Sequence, residues 1–295
     1  MSRAVVLGGG GPVGIGWEAG LLVGLKDAGV DLAGADAVVG TSAGSVVGFT
    51  LASGGDLTEA TTQVSGGAAI ADAGPAPAAG GADGLGELMA TIAQAAQDPA
   101  DADRHRAALG AIAVATPTIT EDVWLSMFAT FADADWPAAF SCTAVDTATG
   151  RFRIWDADSG VAPQLAIASS CAVPAIFPPV SILGARWMDG GVRDMVNADV
   201  ASGHDAVVVV SCTLLDIPKE LSTPELDAVF GATVGQIDGL RSGGSKVETV
   251  VPGAEMLEIS GFGLNLMDFT RAAAAFEAGV RQGKEEATRI GAIWS

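Results

Sequence analysis

The sequence predicts an α/β fold, a three-layer α/β/α sandwich around a mostly parallel central sheet. Three observations predict it. Short apolar runs at residues 4–7, 36–39 and 206–212, the first two ending at glycine, read as strands buried on both faces. Segments with helical apolar spacing, residues 14–28 and 43–52, follow the first two of these runs, as parallel crossovers require. The chain has 295 residues, 49% of them hydrophobic, which is enough to bury a large core.

Taken in order, residues 4–7 form a strand, Gly8 to Gly11 a turn, and residues 14–28 a helix with Ile15, Ala19, Leu22 and Leu25 on one face. Gly29 ends that helix. A second strand at 36–39 runs into Gly40, and a second helix spans 43–52. From 54 to 135 the strand signal disappears. Residues 66–86 are rich in Gly, Ala and Pro, and 88–112 have helical character through Leu88, Ile92, Ala95 and Ala96. This stretch reads as a helical insertion and a candidate lid, or equally as a poorly ordered loop. Strand character returns at 138–145 and, after a turn at 147–150, at 151–155, where it alternates with period 2. A helix at 162–172 stops before Pro174. Residues 180–183 and 186–188 flank Gly184 as a hairpin that leads into Asp189-Gly190-Gly191. Strands at 206–212 and 246–251 and a long amphipathic helix at 267–290 complete the chain. No repeat or linker divides it, so residues 1–295 read as one domain with the insertion at 54–135 inside it.

The net charge of −20 excludes a nucleic-acid partner, because phosphate backbones need clustered Lys and Arg, and no basic cluster occurs. The same charge repels an anionic membrane surface. Cys142, Cys171 and Cys212 are odd in number and lack paired spacing, so buried reduced thiols are expected rather than disulfides or a Cys-type metal site. No signal peptide or apolar run of about 18 residues is visible, which leads to the expectation of a soluble cytoplasmic protein. Neither a metal nor an organic cofactor is expected, and the oligomeric state stays open.

Three constellations carry chemistry. Gly40-Thr41-Ser42-Ala43-Gly44 is a G-x-S-x-G placed where a strand becomes a helix, which exposes a serine hydroxyl on a sharp turn close to free helix N–H groups. Gly8 to Gly11, with Pro12, Val13 and Gly14, follows the first strand. It fits either an oxyanion hole or, through Gly9, Gly11 and Gly14, a dinucleotide fingerprint. The second reading wants an acid closing the second strand, and that strand ends in Gly40-Thr41-Ser42 instead. It survives as an alternative, a Rossmann-type oxidoreductase. Trp187-Met188-Asp189-Gly190-Gly191 puts an acid at a strand end, where Asp-Gly also reads as a turn. The two histidines fit poorly: His204 precedes a strand and so lies at the edge opposite the catalytic one, and His105 sits in Arg104-His105-Arg106 on a solvated face. A base for Ser42 is therefore expected to be a carboxylate.

The glycine loop after the first strand, Gly-Thr-Ser-Ala-Gly after the second and Asp-Gly-Gly far downstream together resemble the patatin-like phospholipases. So does Ala-Ser-Ser-Cys-Ala-Val-Pro-Ala-Ile-Phe-Pro-Pro-Val at 168–180, and so does the continuation Asn197-Ala198-Asp199-Val200-Ala201. The resemblance covers residues 4–211 apart from the insertion. It implies a lipid acyl hydrolase, of phospholipase A, lysophospholipase or esterase type, that works through an acyl-enzyme. Its dyad would be Ser42 as nucleophile and Asp189 as base. Gly9, Gly10 and Gly11 would hold the oxyanion, supported by Gly14, Gly40, Gly44, Gly190 and Gly191. A lipid or other acyl ester would be the partner, with transient contact at a membrane surface. A non-hydrolytic acyltransferase or a non-catalytic relative is the other alternative. The family usually carries Arg or Lys where this chain has Val13, which removes a cation beside the loop.

Overall fold

A computed structural model describes residues 1–66, 92–95, 97–98, 100–216 and 222–294. Among the described residues eight strands form one sheet: β1 (Arg3–Leu7), β2 (Ala37–Gly40), β3 (Phe140–Asp146), β4 (Phe152–Trp155), β5 (Val180–Ile182), β6 (Ala185–Asp189), β7 (Ala206–Val210) and β8 (Lys246–Val250). Their order is β5-β6-β3-β2-β1-β7-β8, with β4 also on β3. The pairs β2/β3, β1/β2, β1/β7 and β7/β8 are parallel, and β3/β4, β3/β6 and β5/β6 are antiparallel.

The described helices of at least six residues are α1 (Gly11–Asp27), α2 (Ala43–Ala52), α3 (Leu57–Gly66), α4 (Ala102–Ala115), α5 (Glu121–Ser126), α6 (Pro163–Ser170), α7 (Pro224–Ser242), α8 (Ala254–Ser260) and α9 (Ala272–Trp294). Strand alternation divides them into two layers. Val5 and Leu7 of β1 and Val208 and Val210 of β7 join a core with α1, α2 and α9. Ala4, Val6, Val207 and Val209 point the other way, onto Ile237 and Leu240 of α7. A sheet with both faces covered has strands that are apolar at every position, which is why these runs are continuous rather than alternating. The three-layer α/β/α sandwich is the architecture.

One register detail places the site. β2 ends with Gly40 opposite Cys142 of β3, and β6 ends with Asp189 opposite Ala144. Cys142 and Ala144 both also pair with β4. A strand has only two hydrogen-bonding edges, so β2 and β6 must share one edge of β3, running toward each other. Their carboxyl ends meet on either side of Thr143.

α1 lies against α9 at backbone contact. A Cβ on Gly16, Gly20 or Gly24 would overlap the carbonyl oxygen of Ala272, Phe276 or Val280, and Gly279 and Gly283 answer from α9 against Trp17 and Leu21. The same helix buries Glu18 completely, and burial pushes its carboxyl well above the usual range.

The last helix begins at Ala272 rather than 267, because Asp268 caps a short 3₁₀ turn, Phe269–Arg271, ahead of it. α7 was not foreseen. Only Val229, Thr233, Ile237 and Leu240 of its residues are buried, too sparse a stripe to stand out. Between 54 and 135 the described residues are helix, turn or loop, without strand. The glycine-rich part of the insertion from 67 to 86, and Leu88, lie outside the described residues. All three cysteines are free and buried. Among the described residues no helix is long and apolar enough to cross a membrane.

Candidate active site

Ser42 sits between β2 and α2 with φ 52° and ψ −117°, a region that L residues rarely occupy and that marks a strained turn. The surroundings fix it from several sides. Its backbone N–H donates to Ser170 Oγ at 3.0 Å, and its carbonyl accepts from Ser45 Oγ at 2.6 Å and Cys171 Sγ at 3.2 Å. Gly44 is required because its α-carbon lies against the Leu7 carbonyl, leaving no room for a side chain, and its N–H donates to Gly8 O at 3.0 Å. Gly40 abuts the backbone of Gly44 and Ser45 in the same crossing.

Asp189 closes β6 and is 4% exposed. Its N–H donates to Ala172 O at 3.0 Å, and its Oδ1 accepts from Gly191 N–H at 2.7 Å. The Ser42 side chain lies near the carboxylate and works to lower its pKa. Burial pushes the Asp189 pKa up to about 7, and the Gly191 and Ser42 hydrogen bonds only partly oppose it. Gly190 packs on Thr143 so closely that a Cβ would overlap the Thr143 hydroxyl.

The glycine loop lies beside the serine. A Cβ on Gly9 would stand 3.4 Å from Ser42 Cβ. The N–H of Gly9, however, donates to Met195 O at 2.6 Å, which removes it from the donors free to meet an oxyanion. The N–H groups of Gly10 and Gly11 carry no backbone partner among the described residues. Gly11, with φ +57°, turns the chain into α1, and Gly14 caps back onto Gly10 O at 2.7 Å. Val13 is fully buried, with its N–H on Leu266 O at 3.2 Å.

Ser42 opens on a cavity of about 330 Å³. Val46 and Ile15 form one side; Trp124, Phe128 and Phe131 come from the insertion, and Phe177 faces them. Trp124 stacks on Phe177 with ring centroids 4.0 Å apart and donates its indole N–H to Ala168 O at 3.1 Å. No charged side chain is among the described residues that line it. The aromatic wall was not foreseen from the sequence, in which Trp124, Phe128 and Phe131 belong to no motif. Ser170 and Cys171 lay inside the quoted 168–180 stretch, but nothing there signalled contact with the nucleophile.

The histidines stay away. His204 lies at the amino end of β7, its Nδ1 2.9 Å from Ala201 O. His105 is on α4, half-buried rather than solvated, with Nε2 4.0 Å from Asp98. Among the described residues no three side chains converge as metal ligands.

The family model described as patatin-like phospholipase matches residues 5–202, more than half of the chain and the span that carries Gly9 to Gly11, Ser42 and Asp189. A search of the curated proteins finds none that matches. With the match, the α/β sandwich and the strand-to-helix serine in agreement, the chain belongs to the patatin-like phospholipase family, which supports a general lipid acyl hydrolase function.

Proposed function

We propose that this protein is a serine acyl hydrolase that cleaves carboxylic esters of lipids through a Ser42–Asp189 dyad and an acyl-enzyme. The observation that carries the reading is that β2 and β6 end on either side of Thr143, bringing Ser42 near the buried Asp189, while Ser42 also lines an uncharged, largely apolar cavity. Ser42 Oγ attacks the ester carbonyl while its proton passes to the Asp189 carboxylate. Gly10 and Gly11 N–H groups hold the oxyanion, with Gly9 supplying the close backbone approach. Asp189 then gives the proton to the departing alcohol. Water attacks the acyl-enzyme, its proton goes to Asp189, and Ser42 recovers a proton as the acid leaves.

The cavity is at the small end of the range for ligand pockets, about 300–1,000 Å³. It suits one acyl chain, with the remainder of the lipid outside. The insertion helps to bind that chain, since Trp124, Phe128 and Phe131 are its walls, and we assign residues 54–135 a gating role on that ground. On the uncharged loop that leads into the cavity-lining Met267, and that Leu266 O pins to Val13, Phe262 and Leu264 stand 70% and 78% exposed. They meet the surface of the lipid aggregate, and an uncharged surface suits a chain of net charge −20.

The test is a panel of p-nitrophenyl esters and neutral phospholipid vesicles with wild type, Ser42→Ala and Asp189→Asn, together with a fluorophosphonate probe and analysis of the released acid. Free acid from wild type, loss of labelling and turnover in folded Ser42→Ala, and loss of turnover in Asp189→Asn are expected. Turnover that survives in folded Ser42→Ala would falsify the proposal.

A further inference from the structure

Neither dyad residue is held in place by its partner alone. The strands that carry them meet end to end on β3, so no ladder hydrogen bond joins β2 to β6 directly. Something else has to fix the separation of Ser42 and Asp189, and the structure shows a side chain that reaches the neighbour of each.

Asn197 is fully buried. Its Nδ2 donates to Thr41 Oγ1 at 3.1 Å, to Gly190 O at 3.3 Å and to Asp194 O at 2.7 Å. Thr41 immediately precedes Ser42, and Gly190 immediately follows Asp189. The Thr41 hydroxyl also meets Thr143 Oγ1 at 2.9 Å, and Thr143 is the β3 residue between the two strand ends. A single amide thus ties both flanks of the dyad to the strand they share.

The amide is itself held from behind. Arg193 donates to Asn197 Oδ1 at 2.8 Å while its guanidinium is gripped by Asp199 at 2.9 and 2.5 Å. Asp194 Oδ1 accepts the N–H groups of Val196 and Asn197 at 2.9 and 2.8 Å, and its Oδ2 accepts from Thr233 Oγ1 at 2.9 Å. Asn197 adopts φ 56° and ψ 45°, a left-handed conformation that asparagine tolerates better than most residues. Both its type and its backbone are therefore specified by the position.

We propose that Asn197 is a positioning residue that sets the Ser42–Asp189 separation by clamping Thr41 and Gly190 together. This rests on the Ser–Asp reading above. The clamp touches neither substrate nor the reacting atoms; it acts through the residues adjacent to them. Its loss therefore affects the chemical step more than substrate binding, which the remote cavity walls supply.

Asn197→Gly keeps the left-handed backbone and removes the amide; Thr41→Val removes one leg of the clamp at constant shape; Thr41→Ser restores that leg. A misplacement of about 1 Å costs on the order of 10²-fold in rate. For Asn197→Gly and Thr41→Val, kcat on a soluble short-chain ester should fall by about that factor, with KM within about threefold of wild type. Thr41→Ser should keep most activity. The Ser42 hydrogen bond lowers the Asp189 pKa. Weakening it should move the acidic limb of the kcat/KM profile upward in both defective variants, a change that general destabilisation does not produce.

Wild-type kcat and an unmoved acidic limb in folded Asn197→Gly and Thr41→Val would overturn the clamp, as would a loss that appears in KM alone. Should Asn197→Gly fail to fold, the Thr41 pair decides by the same criteria. Ser42→Ala and Asp189→Asn run in parallel separate the two levels. Activity in those variants removes the dyad itself, whereas their inactivity beside wild-type clamp variants removes only the clamp.

Discussion

The backbone N–H of Ser42 donates to the hydroxyl of Ser170 at 3.0 Å, tying the strained nucleophile turn to the end of α6. Both residues are buried, so no water replaces the acceptor if it is lost. Ser170→Ala should lower stability by about 1–3 kcal/mol, the penalty of an unsatisfied buried donor. It should also slow fluorophosphonate labelling of Ser42. Urea unfolding at unchanged slope measures the first effect, and a midpoint equal to wild type would show that the turn holds without this bond.

Asp189 must be ionised to take the serine proton, and its pKa lies near 7. The kcat/KM profile should therefore rise with pH through about 7 rather than near the usual carboxylate value of about 4. A plateau already reached at pH 5 would contradict this.

The same shift makes a stability prediction. The folded pKa lies above the ordinary 3.8, so the folded state holds this proton more tightly. That contribution is fully present below about pH 4 and is lost as pH rises through about 7. At about 1.4 kcal/mol per pKa unit, the loss is of the order of a few kcal/mol. Asp189→Asn removes it. The inactive variant should be more stable than wild type at pH 8, with the advantage fading toward pH 4. Glu18 and Asp194, also raised by burial, are unchanged in both proteins and cancel in the difference. Thermal melts of the two proteins across this range provide the measurement.

Val46 lies one helical turn beyond Ser42 on α2 and lines the cavity. Val46→Phe should fill it. Turnover of a decanoyl ester should fall by about 10-fold or more while a butyryl ester stays within about threefold, since each methylene in such a pocket is worth ~1–3 kcal/mol. An unchanged ratio would place the acyl chain elsewhere.

Replacing glycine by alanine inside a helix ordinarily stabilises it by about 1 kcal/mol. At Gly20 the sign should reverse. The new Cβ would overlap the carbonyl oxygen of Phe276, and separating α1 from α9 costs about 1–3 kcal/mol or more. Gly20→Ala should melt lower than wild type. Gly231→Ala in α7, where a Cβ meets nothing, should not.

The sequence by itself determined the sheet, the order of the motifs and the residue types of the site. A strand buried on both faces must be apolar throughout, a serine on a turn between strand and helix needs small neighbours, and each requirement leaves its mark within a few residues. What the sequence left open were relationships between distant backbones. That β2 and β6 share one edge of β3, and so bring Ser42 to Asp189, depends on hydrogen bonds that any residue can make. The capture of the Gly9 N–H by Met195, the bridge from Asn197 to Thr41 and Gly190, and the turning of Trp124 toward Phe177 are of the same kind. Each was decided by tertiary structure, because a backbone carbonyl or a packed ring carries no local signal of which distant partner it will meet.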